Sequence, residues 1–214
     1  MTHKLVKLGD LIEPAPVRRA GQRQFHILSM TMHRGLVEQS GKFKKRIASA
    51  NTSSYKVVSH GQFVVGFPID EGVLSFQTLY PEAIVSPAYG VWNLKEQVSS
   101  RYLERYLRSP QALTYYASKL RGTTARRRSL PNDTFLALTV PLPSVAEQQK
   151  IADVLDKVDV LRGKRRETIS LLDELTQCIF LDMFGNPVRN DRSWPQVNEV
   201  LSVTFSRSDG VRKV

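Results

Sequence analysis

Pro141-Leu142-Pro143-Ser144-Val145-Ala146-Glu147-Gln148-Gln149-Lys150-Ile151 holds a stop and a start side by side. The prolines end a last strand, placed at Phe135 to Val140, because proline has no N–H to give a ladder. Ser144-Val145-Ala146-Glu147 is a capping box: the Ser144 hydroxyl accepts an early orphan N–H, and Glu147 reaches back to the N-cap N–H. Beyond it Ile151, Val154, Leu155, Val158, Leu161, Ile169, Leu172, Leu175, Ile179 and Met183 fall on one stripe, with no proline before Gly185-Asn186-Pro187. The pattern predicts one helix over 144–186. At 1.5 Å per residue it is a rod of roughly 60 Å, longer than a small domain can cover, so it calls for a partner helix.

In heptad terms the a series 151, 158, 165, 172, 179 reads Ile, Val, Arg, Leu, Ile, and the d series 154, 161, 168, 175, 182 reads Val, Leu, Thr, Leu, Asp. The expected helix interface is therefore Ile151, Val154, Val158, Leu161, Leu172, Leu175 and Ile179. Arg165 and Thr168 interrupt it inside the basic run Arg162-Gly163-Lys164-Arg165-Arg166, where Gly163 weakens the helix by about 1 kcal/mol relative to alanine. A bend or break there is one expectation, and a helix folded back on its own domain is the competing reading of the whole stripe. Cys178 reads as a small packing residue at the seam edge.

Upstream, the apolar pattern is short and β-like at Tyr55–Val58, Gln62–Phe67, Ala83–Val85 and Tyr89–Trp92, punctuated by Gly61, Pro68, Gly72, Pro81 and Pro87. Ser53-Ser54-Tyr55-Lys56 leads into the first of these strands. Tyr102, Leu103, Tyr106 and Leu107 then recur at helical spacing. Ser109-Pro110 suits an N-cap and first helical position, and Leu113, Tyr116 and Leu120 continue to a stop at Gly122.

Charge divides the 214 residues along the same lines. The formal net charge is +11; residues 1–143 hold 20 basic and 9 acidic side chains, 144–186 hold 6 and 8, and 187–214 hold 5 and 3. The surplus sits in the globular part. There it clusters at Arg18, Arg19 and Arg23; at Lys42, Lys44, Lys45 and Arg46 around Phe43; and at Arg121 with Arg126, Arg127 and Arg128 after Thr123 and Thr124. Guanidinium and ammonium groups neutralise phosphates, hydroxyls add phosphate bonds, and arginine can pair bidentately with guanine. Three such clusters on one basic segment point to nucleic acid, against the alternative of a generically basic solvated face.

Catalytic parts are missing from the sequence. There is no Gly-x-Gly, and neither Gly41-Lys42 nor Gly163-Lys164 completes a phosphate-binding loop. No Asp/Glu-x-Lys tripeptide offers a magnesium site beside a lysine, and no Asn/Asp-Pro-Pro-aromatic motif offers a base-methylation site. His3, His26, His33 and His60 form no i, i+4 pair and have one cysteine among them, so zinc spacing is absent. A single cysteine, no secretory apolar core after Met1, and no apolar run longer than Phe63 to Ile69 predict a soluble, cytoplasmic chain.

Residues Thr139 to Ala152, continuing through Leu155–Asp159 to Phe180-Leu181-Asp182-Met183-Phe184-Gly185-Asn186-Pro187, resemble the conserved helical region of type I restriction-modification specificity subunits. Its hallmark is a Pro-Leu-Pro-x-x-x-Glu-Gln-x-x-Ile opening of a long helix, here Pro141 to Ile151. Val85-Ser86-Pro87-Ala88-Tyr89-Gly90-Val91-Trp92 and Gly122-Thr123-Thr124 with Arg127 resemble weaker landmarks of the family's target-recognition domain.

The resemblance implies an α+β target-recognition domain at 1–143 and a long helix at 144–186 that forms an antiparallel coiled-coil arm. It implies a non-catalytic subunit that reads half of a split site on double-stranded DNA. It also implies docking of modification (methyltransferase) subunits and, through them, restriction subunits. By the same resemblance S-adenosylmethionine belongs to the modification subunit, ATP and magnesium belong to the restriction subunit, and this chain holds no cofactor or metal. Gln196–Leu201 repeats the apolar and acidic pattern of Lys7–Ile12, so 187–214 reads as the start of a second recognition domain. The chain is then expected to be a half subunit or a fragment, and as a half subunit a homodimer through the helix. Two other readings compete: a self-contained restriction or modification enzyme, and a helix-mediated protein-interaction module.

Overall fold

The structure, a computed structural model, describes residues 3–39, 51–95, 98–120, 130–186 and 189. The described strands are β1 (Lys4–Lys7), β2 (Ile12–Pro14), β3 (Leu28–Thr31), β4 (Gly35–Glu38), β5 (Lys56–Ser59), β6 (Phe63–Val65), β7 (Leu74–Phe76), β8 (Glu82–Val85), β9 (Gly90–Leu94) and β10 (Thr139–Leu142). The helices are α1 (Ser100–Leu107), α2 (Pro110–Lys119), α3 (Asn132–Leu136) and α4 (Val145–Phe184).

Strands β2-β9-β6-β7 form a four-stranded sheet, and β1–β10, β3–β4 and β5–β8 are two-stranded antiparallel pairs. The pairing of β1 with β10, Lys4 opposite Leu142 and Lys7 opposite Thr139, brings the start of the chain beside the strand that precedes the long helix. Gly35 opens β4 at φ 62, and a Cβ there would stand 2.5 Å from Ser75 Oγ, so both the turn and the close approach to β7 require glycine.

The main core gathers Phe63, Leu74, Phe76 and Trp92 from the four-stranded sheet against Tyr102, Leu103, Leu107, Tyr116 and Phe135 from the helices. A second cluster, Leu28, Leu36, Val58, Val64, Ala83 and Val85, lies under the β3–β4 and β5–β8 pairs. Helix α1 is tied to β7 by Glu104, whose carboxylate accepts the Phe76 N–H at 3.0 Å and the Ser75 hydroxyl at 3.2 Å.

The four strands expected at Tyr55–Val58, Gln62–Phe67, Ala83–Val85 and Tyr89–Trp92 are present as β5, β6, β8 and β9, trimmed or shifted by a few residues. Ser109 caps α2, its hydroxyl accepting the Ala112 N–H at 3.4 Å, and Pro110 is its first residue. The expected stop at Gly122 lies outside the described residues; the C-cap is Leu120.

One strand was misplaced. Phe135 and Leu136 belong to a short helix that starts after Pro131, and the strand begins only at Thr139, including Pro141 and Leu142. Pro141 is tolerated because β10 is paired on one side only, against β1.

Helix α4 is continuous across Gly163, so the chain does not break there. Gly185 closes it in the left-handed conformation, φ 74, its N–H donating to Leu181 O at 2.8 Å. At its start the Ser144 hydroxyl accepts the Glu147 N–H at 3.4 Å, but the Glu147 carboxylate turns to His3, 3.8 Å away, so only the first half of the capping box forms. The chain divides into two compact units, Met1–Val158 and Asp159–Val214, so the first turns of α4 belong with the globular part.

Candidate nucleic-acid interface

Residues 18–21 add a further edge to the β5–β8 pair. The Ala20 N–H donates to Tyr55 O at 2.9 Å, the Val57 N–H to Arg18 O at 2.8 Å and the Gly21 N–H to Ser53 O at 3.0 Å, with Arg19 opposite Lys56. Side chains alternate across a strand, so this register sends Arg18 to the face of Val57 and Ser59, and Arg19 to the face of Lys56. Arg18 donates to Glu82 Oε1 at 2.7 Å and to Ser59 Oγ at 2.8 Å. Arg23 reaches Glu82 Oε2 at 3.5 Å, and its guanidinium lies 4.9 Å from the Phe25 ring centroid. On the other face Arg19 donates to Ser54 O at 3.0 Å, and Lys56 Nζ donates to Tyr89 O at 2.6 Å.

Two of these cations, Arg18 and Arg23, share the Glu82 carboxylate, while Arg19 and Lys56 on the other face donate to backbone carbonyls. The hydrogen bond from Arg18, with the charges of Arg18 and Arg23, holds the Glu82 carboxyl below its ordinary value, although desolvation pushes the other way. Burial, helped by the charge of Arg19, lowers Lys56. The surplus charge, fixed in position by backbone pairing, is what phosphate contacts need: donors held in register without reading sequence.

The other candidate DNA contacts named from the sequence, the basic Lys42, Lys44, Lys45, Arg46, Arg121, Arg126, Arg127 and Arg128 and the hydroxyl-bearing Thr123 and Thr124, lie outside the described residues. Close in sequence to the first of these groups, Glu38 accepts the Tyr80 hydroxyl at 2.9 Å and lies 3.0 Å from His26 Nδ1. The His26 and Tyr80 rings stack at 3.9 Å. The hydrogen bond to Glu38, with burial and the carboxylate charge behind it, raises the Tyr80 hydroxyl above its ordinary value.

The helix supplies a second surface. Its first turns are bound to the globular part by Gln148, which is fully buried, accepts the Ser99 N–H at 2.8 Å and donates to Pro143 O at 2.9 Å. Ser99 is the N-cap of α1, so one amide joins the starts of two helices. Ala152 is buried beside it. Arg101 pairs with Asp153 at 2.9 Å and with Asp156, and Arg105 pairs with Asp156 at 2.5 Å. Arg101, then desolvation acting in the opposite direction, then Arg105 govern the Asp156 carboxyl, which ends below its ordinary value.

Ile151 is a correction to the expected interface, because it packs against the main core of its own domain. Val158 is half-buried, whereas Val154, Leu161, Leu172, Leu175 and Ile179 are exposed, Leu161 at 65% and Ile179 at 50%. Cys178 is also exposed. Among the described residues no group of three His, Cys, Asp or Glu side chains could hold a metal, and no helix is long and apolar enough to cross a membrane.

No protein-family model and no curated protein sequence matches the chain. Solved structures do. The HsdS subunit from Thermoanaerobacter tengcongensis superposes with a TM-score of 0.57 at 18% identity, over 86% of this chain and 50% of that one. The chain has the S-subunit fold. A structure described for complex assembly and conformational transition of the type I R-M system matches with a TM-score of 0.51 at 15% identity, over 82% of this chain and 44% of that one. The chain therefore spans about half the length of the chains it matches.

Sequence reading found the arginines of the 18–23 cluster but not Glu82, which lies far away along the chain and is brought in by β8. It also passed over Gln148 as part of a motif, because the Ser99 N–H that explains it belongs to another element.

Proposed function

We propose that this chain is a non-catalytic DNA-reading subunit of a type I restriction-modification complex. Its recognition part reads half of a bipartite site, and its long helix docks modification subunits and pairs with a second copy. S-adenosylmethionine, ATP and magnesium then act on the partner subunits. The observation that carries the reading is the shared fold, which extends over 86% of the chain at half the length of an S subunit. Two copies paired through the apolar stripe of α4 would present two reading domains, and a two-fold pair of identical readers recognises a palindromic, gapped sequence.

The test is selection of duplexes from a random DNA library by the purified chain, with and without a modification subunit, at two salt concentrations. A gapped palindrome is the expected result. A single ungapped half-site would remove the pairing. Failure to enrich any sequence would remove the DNA reading. Phosphate contacts such as Arg18 and Arg19 are expected, when changed to alanine, to weaken all duplexes alike and to reduce the salt slope by about one each.

A further inference from the structure

The β3–β4 hairpin ends in a turn that is held from several sides. The hydroxyl of the buried Thr31 donates to Gly35 O at 3.0 Å and accepts the Arg34 N–H at 3.0 Å. From outside the turn, Arg108 donates to Met32 O and pairs with Glu104 at 3.4 Å, and Glu104 is itself bonded to β7. Gly35, with no room for a side chain against Ser75, fixes the far end. What this frame presents to solvent is Met32, His33 and Arg34, all exposed. The Gly66–Phe67 segment runs alongside: a Cβ on Gly66 would stand 3.3 Å from Met30 Cγ, and Phe67, next in the chain, is 55% exposed.

Arg34 differs from the other described arginines of residues 3–158 in what its guanidinium does. Arg18 and Arg23 share Glu82, and Arg19 donates to Ser54 O. Arg101 and Arg105 pair with acidic side chains of α4, and Arg108 with Glu104. The Arg34 guanidinium has no hydrogen bond, ion pair or ring contact among the described residues, although its own backbone N–H is tied down. An arginine already bound to a carboxylate has spent part of its donor fork before a ligand arrives, whereas Arg34 keeps the whole of it.

A planar, uncommitted fork suits an acceptor pair. On a duplex the candidates are phosphate oxygens, present at every step, and the N7 and O6 of guanine in the major groove. The exposed apolar groups beside Arg34 decide between them. Met32, in the same turn, is 38% exposed, and a thioether or a phenyl ring gains nothing at a phosphate but packs on base edges and thymine methyls.

We propose that Arg34 is a base-reading contact of this chain, its guanidinium paired with N7 and O6 of one guanine in the major groove. The inference rests on the DNA reading given above and adds a division of labour to it: the cations around β5 and β8 position the duplex, and the hairpin tip specifies a base.

The test repeats the random-duplex selection with the purified full chain and with Arg34→Ala, Arg34→Lys and, as a phosphate control, Arg19→Ala. Thermal unfolding like that of the parent establishes that each variant is folded. The parent motif is expected to hold a guanine at which Arg34→Ala loses its preference while the other positions persist, with affinity for the parent motif down roughly ten- to a hundredfold. Arg34→Lys keeps the charge without the fork and is expected to lose the same position. Arg19→Ala should weaken every sequence alike. Replacing that guanine by 7-deazaguanine removes the N7 acceptor, and is expected to weaken the parent but to change Arg34→Ala no further.

Uniform weakening by Arg34→Ala with a flatter salt slope would make Arg34 a phosphate contact and overturn the proposal. A loss confined to capture of the modification subunit would make the tip a protein contact and overturn it too. A parent that enriches a motif insensitive to Arg34 defeats the tip alone. A parent that enriches nothing defeats the DNA reading, and the tip with it.

Discussion

The first fourteen residues of α4 and the remaining twenty-six are one uninterrupted helix with opposite fates. In 145–158 the inward positions are Gln148, Ile151, Ala152 and Asp156, a mixed set that ends in charges satisfied by arginines. In 159–184 the stripe is leucine, isoleucine, phenylalanine and methionine, and every one of those side chains is exposed. Such a long run of exposed large apolar groups is unusual for a surface helix and is the mark of an interaction face. The contrast teaches that 145–158 uses polar pairing to fix geometry, whereas 159–184 carries the greater apolar content on exposed side chains.

The sharpest way to break the contrast is Leu172→Asp. It places a charge on the exposed stripe, so the globular part should keep its melting temperature while the self-association proposed for the helix is lost in sedimentation velocity. A buried unpaired charge costs about 3 kcal/mol, more than a hundredfold in the association constant. Unchanged assembly would mean that the stripe is not the pairing surface.

Gln148→Ala acts on the attached segment instead. It orphans the Ser99 N–H and the Pro143 carbonyl, so denaturant unfolding should show a loss of about 2 kcal/mol. A loss under about 0.5 kcal/mol would mean that other packing fixes the helix start.

Asp156→Asn has the smallest expected effect. The pairs are partly solvent-exposed and screened, and together they contribute about 1 kcal/mol. Because the folded carboxyl titrates below its ordinary 3.8, its stabilisation is fully present above that value and is lost as pH falls through the lower, folded one. Parent and variant should therefore differ in stability at neutral pH and converge in acid. A difference that persists in strong acid would assign the effect to packing rather than charge.

What could be read in advance follows physical lines. A forty-residue helix announces itself through periodicity, a capping serine and a terminal glycine, all local signals. Strands β5 and β8 were legible because Val57-Val58 and Ala83-Ile84-Val85 are apolar runs between turns. Strand β1 was missed since Lys4-Leu5-Val6-Lys7 has no buried side chain, and its partner β10 lies at the other end of the domain. The run Phe135-Leu136-Ala137-Leu138 looked like a strand because its apolar density hid the helical turn that follows Pro131. At the site, charge was visible and pairing was not. Glu82, Tyr80 and Ser99 become partners of Arg18, Glu38 and Gln148 only after the chain has folded.

The pairing of β1 with β10 has a kinetic consequence. Chains are made from the N-terminus at about 5–20 residues per second, so β1 leaves the ribosome well before its strand partner β10 exists. Until Thr139–Leu142 is made, Lys4–Lys7 stays an open edge, and the ends of a very long loop must then meet. Closure of the β1–β10 pair is therefore set by the residues that lead directly into the helix, so completing this domain and starting the helix form a single event in synthesis.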